Sequence, residues 1–333
     1  MSAPPDLDIL DLFFGDELDD ADVHGEVTTG RNFDTDRTKG RPRGYAKWAP
    51  RAETQALLED VRDVLDEYAD HLPLTIRQVF YRLVAAGYPK DERAYARLCN
   101  VLGRARRARM LPFEAIRDDG VVTIENAAYD GVEDFEDETG RRARNYRRDR
   151  QEGQPARLEL WCEAAGMLGQ LARVAEPYSV PVFSAGGFGS LTANHAIAQR
   201  ALDRLVPTVL LHVGDFDPSG VSIFEAMAED AAAFVKADRT IETLHIEPVR
   251  VALTAAQVRA YGLPTTPAKK SDGRSRDWKG GTCQLEALAP DQLAKIVRKA
   301  ILDRIDLTPY AAVLAEERDD RAELLALPPG DES

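Results

Sequence analysis

Residues 207–220 read PTVLLHVGDFDPSG, an apolar run that ends in two aspartates before a proline. The run at 207–213 has the length and the β-branched content of a buried strand, and Pro218 suits the first turn of a helix. Two shorter apolar runs, at residues 158–162 and 180–184, are also followed by helical patterns. Strands that alternate with helices predict a parallel sheet and an α/β fold. The same patterns predict a further strand near 243–246 and helices near 164–175, 190–205, 218–235, 290–304 and 309–325.

Acidic side chains follow two of these predicted strands. Glu163 comes directly after the strand at 158–162, and Asp215 and Asp217 follow the strand at 207–213. Because ligands collect where parallel strands end, at one edge of the sheet, we expect the three carboxylates to lie close together. Oxygen ligands of this kind suit Mg²⁺, which keeps several waters and is completed by phosphate oxygens. The sequence therefore predicts a Mg²⁺ site formed by these three residues.

A second interpretation explains each acid separately. Asp217 can cap the helix that follows it, Glu163 can lie in a first helical turn, and Asp215 can be an exposed side chain. Gly220 favours the metal interpretation, because a residue without a side chain lets the backbone or a phosphate approach closely. Glu286 leaves both interpretations open, since it can approach the same edge or serve as a carboxylate at a helix N-terminus.

Helical periodicity also marks the N-terminal part of the chain. Apolar residues recur at steps of three and four in residues 52–70, 74–86 and 92–109, which predicts three helices. Residues 115–124, with a turn at 118–120, are typical of a short hairpin. Three helices followed by a hairpin are the components of a winged helix.

Charge is distributed unevenly along the 333 residues, whose net charge is −14. Residues 1–36 carry −10 of this total and are interpreted as a disordered acidic tail. No apolar run is long enough to span a membrane and no secretory signal is present, so we expect a soluble cytoplasmic protein. The three cysteines show neither disulfide nor zinc spacing.

Arginines are clustered outside that tail and predict contacts with DNA phosphates. A solvated basic face is the alternative for the helix at 92–109, and a plain basic linker is the alternative for the segment Lys39 to Arg43, which resembles an AT-hook. The candidate DNA-binding residues are Arg41, Arg43, Arg97, Arg104, Arg106, Arg107, Arg144 and Arg147.

Residues 160–163 (LWCE), 186–190 (GGFGS) and 214–220 (GDFDPSG) resemble a Toprim domain. The last motif is similar to that of the type IIB DNA topoisomerase (topoisomerase VI) A subunit and its meiotic double-strand-break relative. The resemblance implies a CAP-like winged-helix domain followed by a Toprim domain with a central parallel sheet. It also implies double-stranded DNA as the substrate, a homodimer, and Mg²⁺ held by Glu163, Asp215 and Asp217.

The same family places a nucleophilic tyrosine in its winged-helix domain, and residues 76–81 (IRQVFY) match that pattern. Arg77 and Tyr81 are spaced i, i+4, so Arg77 can lie over the phosphate that Tyr81 would attack. A phenol with a pKa near about 10 needs activation, and the resemblance implies that Tyr81 of one subunit meets the metal site of the other. The alternative is that Tyr81 is an aromatic residue of the core.

Five segments are predicted: an acidic tail and basic linker (1–50), a winged-helix domain (51–130), a basic linker (131–155), a Toprim domain (156–310) and a C-terminal helix and tail (311–333). The resemblance implies Mg²⁺-dependent DNA cleavage by tyrosine transesterification. No ATPase module is recognised, so strand passage would need a separate ATPase partner. A hydrolytic Toprim nuclease of a genome-defence system and a non-cleaving DNA-binding adaptor are the alternatives.

Overall fold

The computed structural model describes residues 45–117, 128–184, 191–268, 278 and 280–326. The acidic tail, Arg41, Arg43, the segment 186–190 and the turn at 118–120 lie outside the described residues. The chain divides into two units, residues 1–47 and 48–333, and every element below belongs to the second unit. The part of the chain that the structure describes contains no helix long and apolar enough to cross a membrane.

The N-terminal part of this unit confirms the three predicted helices, with ends that lie slightly inside the predicted ones. Residues 74–75 form a short strand that pairs in parallel with residues 116–117, while the predicted return strand of the hairpin lies outside the described part. In chain order the elements are α1 (Ala52–Glu67), β1 (Leu74–Thr75), α2 (Ile76–Ala85), α3 (Glu92–Arg107), β2 (Ile116–Arg117) and α4 (Val132–Arg144).

Four parallel strands form the central sheet, in the order β4-β3-β5-β6, which confirms the predicted α/β class. In chain order the elements are β3 (Arg157–Cys162), α5 (Leu168–Ala175), β4 (Val182–Ser184), α6 (Leu191–Arg204), β5 (Thr208–Val213), α7 (Pro218–Asp238) and β6 (Ile246–Ala252). The further strand predicted near 243–246 is present but displaced, because β6 runs from Ile246 to Ala252 and overlaps the predicted range only at Ile246. Pro248 and the charged residues of β6 conceal its pattern, and an edge strand tolerates them.

In the C-terminal part, Cys283 pairs with Phe216 at the edge of the sheet. Two helices follow, which confirms the helices predicted near 290–304 and 309–325. A 3₁₀ turn at Leu285–Ala287 precedes the first of these helices. The remaining elements are α8 (Ala255–Ala260), β7 (Thr266–Pro267), β8 (Gly281–Thr282), α9 (Pro290–Leu302) and α10 (Leu307–Ala326).

Both faces of the sheet are covered, because successive strand residues point to opposite sides. Leu158 and Leu160 of β3 belong to one apolar cluster, whereas Trp161 belongs to a second cluster with α6 and α7. The first cluster is continuous from the sheet into the N-terminal helices, where it includes Leu58 and Leu98. The N-terminal helices and one face of the sheet therefore share a core.

Helix α10 is held to the basic segment that follows α4 by a buried carboxylate. Glu317 accepts hydrogen bonds from Arg150 at 2.7 and 2.9 Å and from Arg321 at 2.6 Å. The side chain of Glu317 is only 3% exposed, so its carboxylate meets these arginines out of contact with water. The hydrogen bond from Arg150 is the main reason that the pKa of Glu317 is lowered.

We predict that Glu317→Ala lowers the free energy of unfolding by about 3 kcal/mol, because it leaves two arginines without their buried partner. Glu316→Ala is the matched control, since that neighbouring side chain is exposed, and should change stability little. The lowered pKa means that the stabilisation exists above the ordinary glutamate pKa and is lost as pH falls through the lowered value. Urea unfolding at pH 7 and in acid measures both effects; equal unfolding of the two variants would contradict them.

Candidate active site

The three predicted carboxylates lie at one edge of the sheet. Glu163 follows β3, and Asp215 and Asp217 follow the neighbouring strand β5. A Cβ atom added at Gly220 would lie 3.3 Å from Glu163 Oε2, 3.3 Å from Asp217 Oδ1 and 3.1 Å from the carbonyl oxygen of Asp215. The structure thus brings these residues around one point, which only a glycine leaves open.

The like charges of these three carboxylates repel one another. Burial raises the pKa of Asp215, and the nearby charge of Asp217 raises it further, although a backbone hydrogen bond from Leu285 acts in the other direction. Loss of water also raises the pKa of Glu163, with added contributions from Asp215 and Asp217. The ionised cluster is therefore unfavourable unless a positive charge joins it.

The separate explanation of each acid holds only for Asp217. Its Oδ1 accepts a hydrogen bond from the Gly220 amide at 2.6 Å, so Asp217 caps α7 as well as lying in the cluster. Asp215 is not simply exposed, because its Oδ1 accepts a 2.9 Å hydrogen bond from the Leu285 amide. Glu163 is not in a first helical turn, because it lies before Ala164, the N-cap of the 3₁₀ turn Ala165–Met167.

A fourth carboxylate, Glu286, reaches the same edge from the C-terminal part of the chain. It lies one residue beyond Leu285 and is 5% exposed. Its Oε1 is 4.0 Å from Nη1 of Arg77, and its Oε2 has no hydrogen-bond partner among the described residues. Burial and the charge of Asp215 raise the pKa of Glu286. Of the two interpretations that the sequence left open, the structure supports the approach to the sheet edge.

Arg250 holds the backbone that carries Asp215, and the sequence did not predict this role. From β6 it donates hydrogen bonds to the carbonyl oxygens of Gly214 and Asp215, the first at 2.9 Å, and to Nδ1 of His212 at 2.7 Å. Burial lowers the pKa of His212 to about 2, so its neutral ring accepts this bond while it stacks on Phe224. The sequence offered one signal for this role: Arg250 is a charged residue within an otherwise largely apolar stretch, and that stretch forms the strand beside β5.

Tyr81, the predicted nucleophile, is buried on α2 at 8% exposure. Its hydroxyl donates a 2.9 Å hydrogen bond to Oε1 of Gln284, two residues before Glu286. Burial raises the pKa of Tyr81 to about 12, and the charges of Cys283 and Glu286 act in the same direction. Tyr81 therefore borders the acidic edge of its own chain, but its hydroxyl is bonded and its pKa is the reverse of what an activated nucleophile needs.

Arg77 lies one helical turn before Tyr81 and faces the acidic edge. Its side chain is 47% exposed, and its guanidinium approaches Glu286 at 4.0 Å. A cation that is half open to solvent beside a carboxylate cluster is available to a phosphate group. The role of Arg77 over a scissile phosphate stays a prediction.

The arginines of α3 that were predicted to contact DNA differ in their exposure to solvent. Arg97 and Arg104 are exposed; Arg97 pairs with Glu53 at 2.8 Å, and Arg104 lies over the ring of Trp48 at 4.7 Å. Arg106 is 7% exposed and donates to the carbonyl oxygen of Ile116 at 3.4 Å. Arg106 is thus a buried link between α3 and β2, which corrects its prediction as a DNA contact.

The other predicted DNA-binding residues lie in three settings. Arg107 is half-buried on α3, and Arg144 and Arg147 are exposed near the end of α4. Arg147 approaches Glu317 at 4.0 Å. Arg41 and Arg43 lie outside the described residues, so no position is assigned to them.

The donor set fits a hard divalent cation. Within the described ranges, no three His, Cys, Asp or Glu side chains lie close enough together to hold a metal ion as they stand. Side-chain oxygens of Glu163 and Asp217 and the carbonyl oxygen of Asp215 nevertheless lie around Gly220, and Glu286 adds a buried oxygen without a hydrogen-bond partner among the described residues. Carboxylate oxygens with room for water or phosphate are what Mg²⁺ requires.

We predict that Asp215→Asn raises the melting temperature in metal-free buffer at pH 7 by about 2 °C or more, since it removes a repelled charge but keeps the acceptor for Leu285. The raised pKa of Asp215 means that its contribution to stability is present below the ordinary aspartate pKa and lost as pH rises through the raised value. The gain should therefore vanish in acid. Asp63→Asn, at an exposed position of α1, is the control; a destabilised Asp215→Asn at pH 7 would contradict the prediction.

The chain matches no protein-family model and no curated protein. The chemical roles of these residues therefore rest on their positions and contacts within this chain.

Proposed function

We propose that this chain cleaves DNA strands with a divalent metal ion, Mg²⁺, at the edge formed by Glu163, Asp215 and Asp217. The observation that carries the proposal is that carboxylate oxygens of Glu163 and Asp217 and the carbonyl oxygen of Asp215 lie around Gly220 at one sheet edge. The half-exposed Arg77 lies near Glu286 at the same edge. The pKa values of Glu163 and Asp215 are raised by burial and by neighbouring acids at this sheet edge, an arrangement that suits a bound cation and a phosphate more than it suits stability.

Two finer assignments accompany this proposal. The carboxylates that follow β3 and β5 support a Toprim-like arrangement of the sheet, and helices α1, α2 and α3 with β2 support a winged-helix arrangement. Double-stranded DNA is the proposed partner, because exposed arginines of α3 offer a surface for its phosphates.

Each side chain has a distinct task in the proposed reaction. Glu163, Asp215 and Asp217 would hold Mg²⁺, which when bound stabilises negative charge on a reacting phosphate. The amide of Leu285 fixes the carboxylate of Asp215, and Arg250 fixes the backbone on which it stands. Arg77 would bind and orient the scissile phosphate by charge-assisted hydrogen bonds.

The contacts of Tyr81 favour water over tyrosine as the nucleophile. A tyrosine nucleophile needs a nearby base or a lowered pKa, whereas the hydroxyl of Tyr81 donates a hydrogen bond to the amide oxygen of Gln284 and burial raises its pKa to about 12. Hydrolysis is therefore the mechanism that this geometry supports best. In this mechanism Tyr81 positions Gln284, and with it the segment that carries Glu286.

Transesterification by Tyr81 is the second candidate, and the observation that favours it is its place beside Arg77 and Gln284 at the same edge. In that mechanism the hydroxyl oxygen attacks phosphorus, the phosphotyrosyl bond forms, and a deoxyribose oxygen leaves with a proton. Its hydroxyl would first have to leave Gln284. A homodimer and a separate ATPase partner belong to this candidate.

We predict that the purified chain converts supercoiled plasmid to nicked or linear DNA in the presence of Mg²⁺ and that Asp215→Asn lowers the rate at least about a hundredfold. Asp63→Asn should cleave like the parent chain, because it lies on α1 away from these carboxylates. Cleavage that survives Asp215→Asn unchanged would contradict the proposed site. DNA binding without any cleavage by the parent chain would instead support an adaptor.

Tyr81→Phe separates the two mechanisms, and we predict that it leaves cleavage within about tenfold of the parent because the ring still fills the core. Denaturation with detergent during the reaction should release DNA free of protein. Protein covalently attached to DNA that is lost in Tyr81→Phe would show that hydrolysis is the wrong mechanism.

We predict that Arg104→Ala weakens binding to a DNA duplex several-fold and reduces the slope of log affinity against log salt by about one. The exposed side chain of Arg104 would otherwise neutralise a phosphate. Arg298→Ala, which removes an exposed arginine from α9, is the matched control for net charge. Fluorescence anisotropy over a range of salt concentrations gives both quantities, and identical slopes for the two variants would exclude this part of α3 from the surface.

A further inference from the structure

Glu286 is buried under conditions that a structural carboxylate normally avoids. Its side chain is 5% exposed, its nearest cation is 4.0 Å away, and its Oε2 meets no hydrogen-bond partner within the described part of the chain. Burying an ionised carboxylate without good partners costs several kcal/mol. A role in the core would be met better by an apolar side chain of the same size.

The fold holds this carboxylate in place from two sides. Phe216 and Cys283 exchange backbone hydrogen bonds of 2.8 and 3.0 Å, which fixes the approaching segment against the acidic motif. From the other side, α2 holds the same segment, because Tyr81 donates to Gln284 and Arg82 donates to the carbonyl oxygen of Ala287. Glu286 therefore stands beside Asp215 on a doubly anchored segment.

We propose that Glu286 is a fourth carboxylate ligand of the divalent cation at this edge, presented by the segment 283–287, and that Arg77 is its counter-ion when the cation is absent. The inference rests on the proposed metal site and deepens it. It explains why one oxygen of Glu286 has no hydrogen-bond partner among the described residues and why the other lies 4.0 Å from a half-exposed guanidinium instead of in a close ion pair. A simple ion pair with Arg77 is the competing explanation.

Isothermal titration calorimetry of the full chain with Mg²⁺ alone, in the absence of DNA, separates these explanations. The variants are Glu286→Gln, which keeps the shape but removes the charge, Arg77→Gln, which removes the counter-ion, and Asp215→Asn, which tests the metal site itself. Glu317→Gln is the control for loss of a different buried glutamate charge.

We expect Glu286→Gln to weaken Mg²⁺ binding at least about tenfold and Arg77→Gln to strengthen it several-fold. In the double variant the effect of Arg77→Gln should largely disappear, because Arg77 acts through Glu286. Unchanged affinity in Glu286→Gln, together with weakened affinity in Asp215→Asn, would overturn this inference and leave the proposed function intact. Failure of the parent chain to bind Mg²⁺ would overturn both.

A folding check accompanies the titration. In metal-free buffer Glu286→Gln should melt at the same temperature as the parent chain or higher, since it removes a poorly partnered buried charge. Should it fail to fold, Glu286→Asp keeps the charge but withdraws the carboxylate by one methylene. Weaker Mg²⁺ binding by Glu286→Asp would support the ligand role, and unchanged binding would overturn it.

Discussion

The two backbone hydrogen bonds between Phe216 and Cys283 are the constraint on which the candidate site depends. They fasten a segment from the C-terminal part of the chain to the loop that follows β5. Leu285 can then donate its amide to Asp215, and Glu286 is carried to the sheet edge. Helix α2 closes the arrangement, because its Tyr81 bonds to the same segment. Three parts of the sequence therefore meet at one edge without any of them being adjacent along the chain.

The balance of charge at this edge follows from that assembly. Burial raises the pKa of both Asp215 and Glu286, and the charge of Asp215 raises the pKa of Glu286 further. Two arginines differ in their contacts there: Arg250 is committed to backbone carbonyl oxygens, whereas Arg77 remains half exposed. Arg77 is therefore accessible to an incoming anion. An edge with several carboxylates and an accessible guanidinium is suited to a cation and a phosphate together.

Local sequence patterns predicted most helices and strands, whereas the order of strands in the sheet depends on contacts between distant parts of the chain. The periodicity of α1, α2 and α3 and the apolar runs of β3 and β5 are written in consecutive residues, so their positions could be predicted. Strand β6 could not, because its proline and charges are tolerated only at the edge of a sheet, and the sheet order is a tertiary property. The convergence of Glu163, Asp215 and Asp217 was predictable because parallel strands end at the same edge.

The roles of Glu286, Arg250, Arg106 and Tyr81 were harder to predict for a common reason: each depends on contacts with another element that form only when the chain folds. Arg106 resembles its exposed neighbours on α3 until β2 buries it against Ile116. Tyr81 keeps the i, i+4 spacing from Arg77 that suggested a nucleophile, yet spacing does not specify solvent access or proton affinity. Those properties come from Gln284 and from the burial that raises the pKa of Tyr81 to about 12. The same spacing can thus place a tyrosine at a reactive position in one environment and bond it to a neighbouring segment in another, and the groups that pack against the hydroxyl decide between the two.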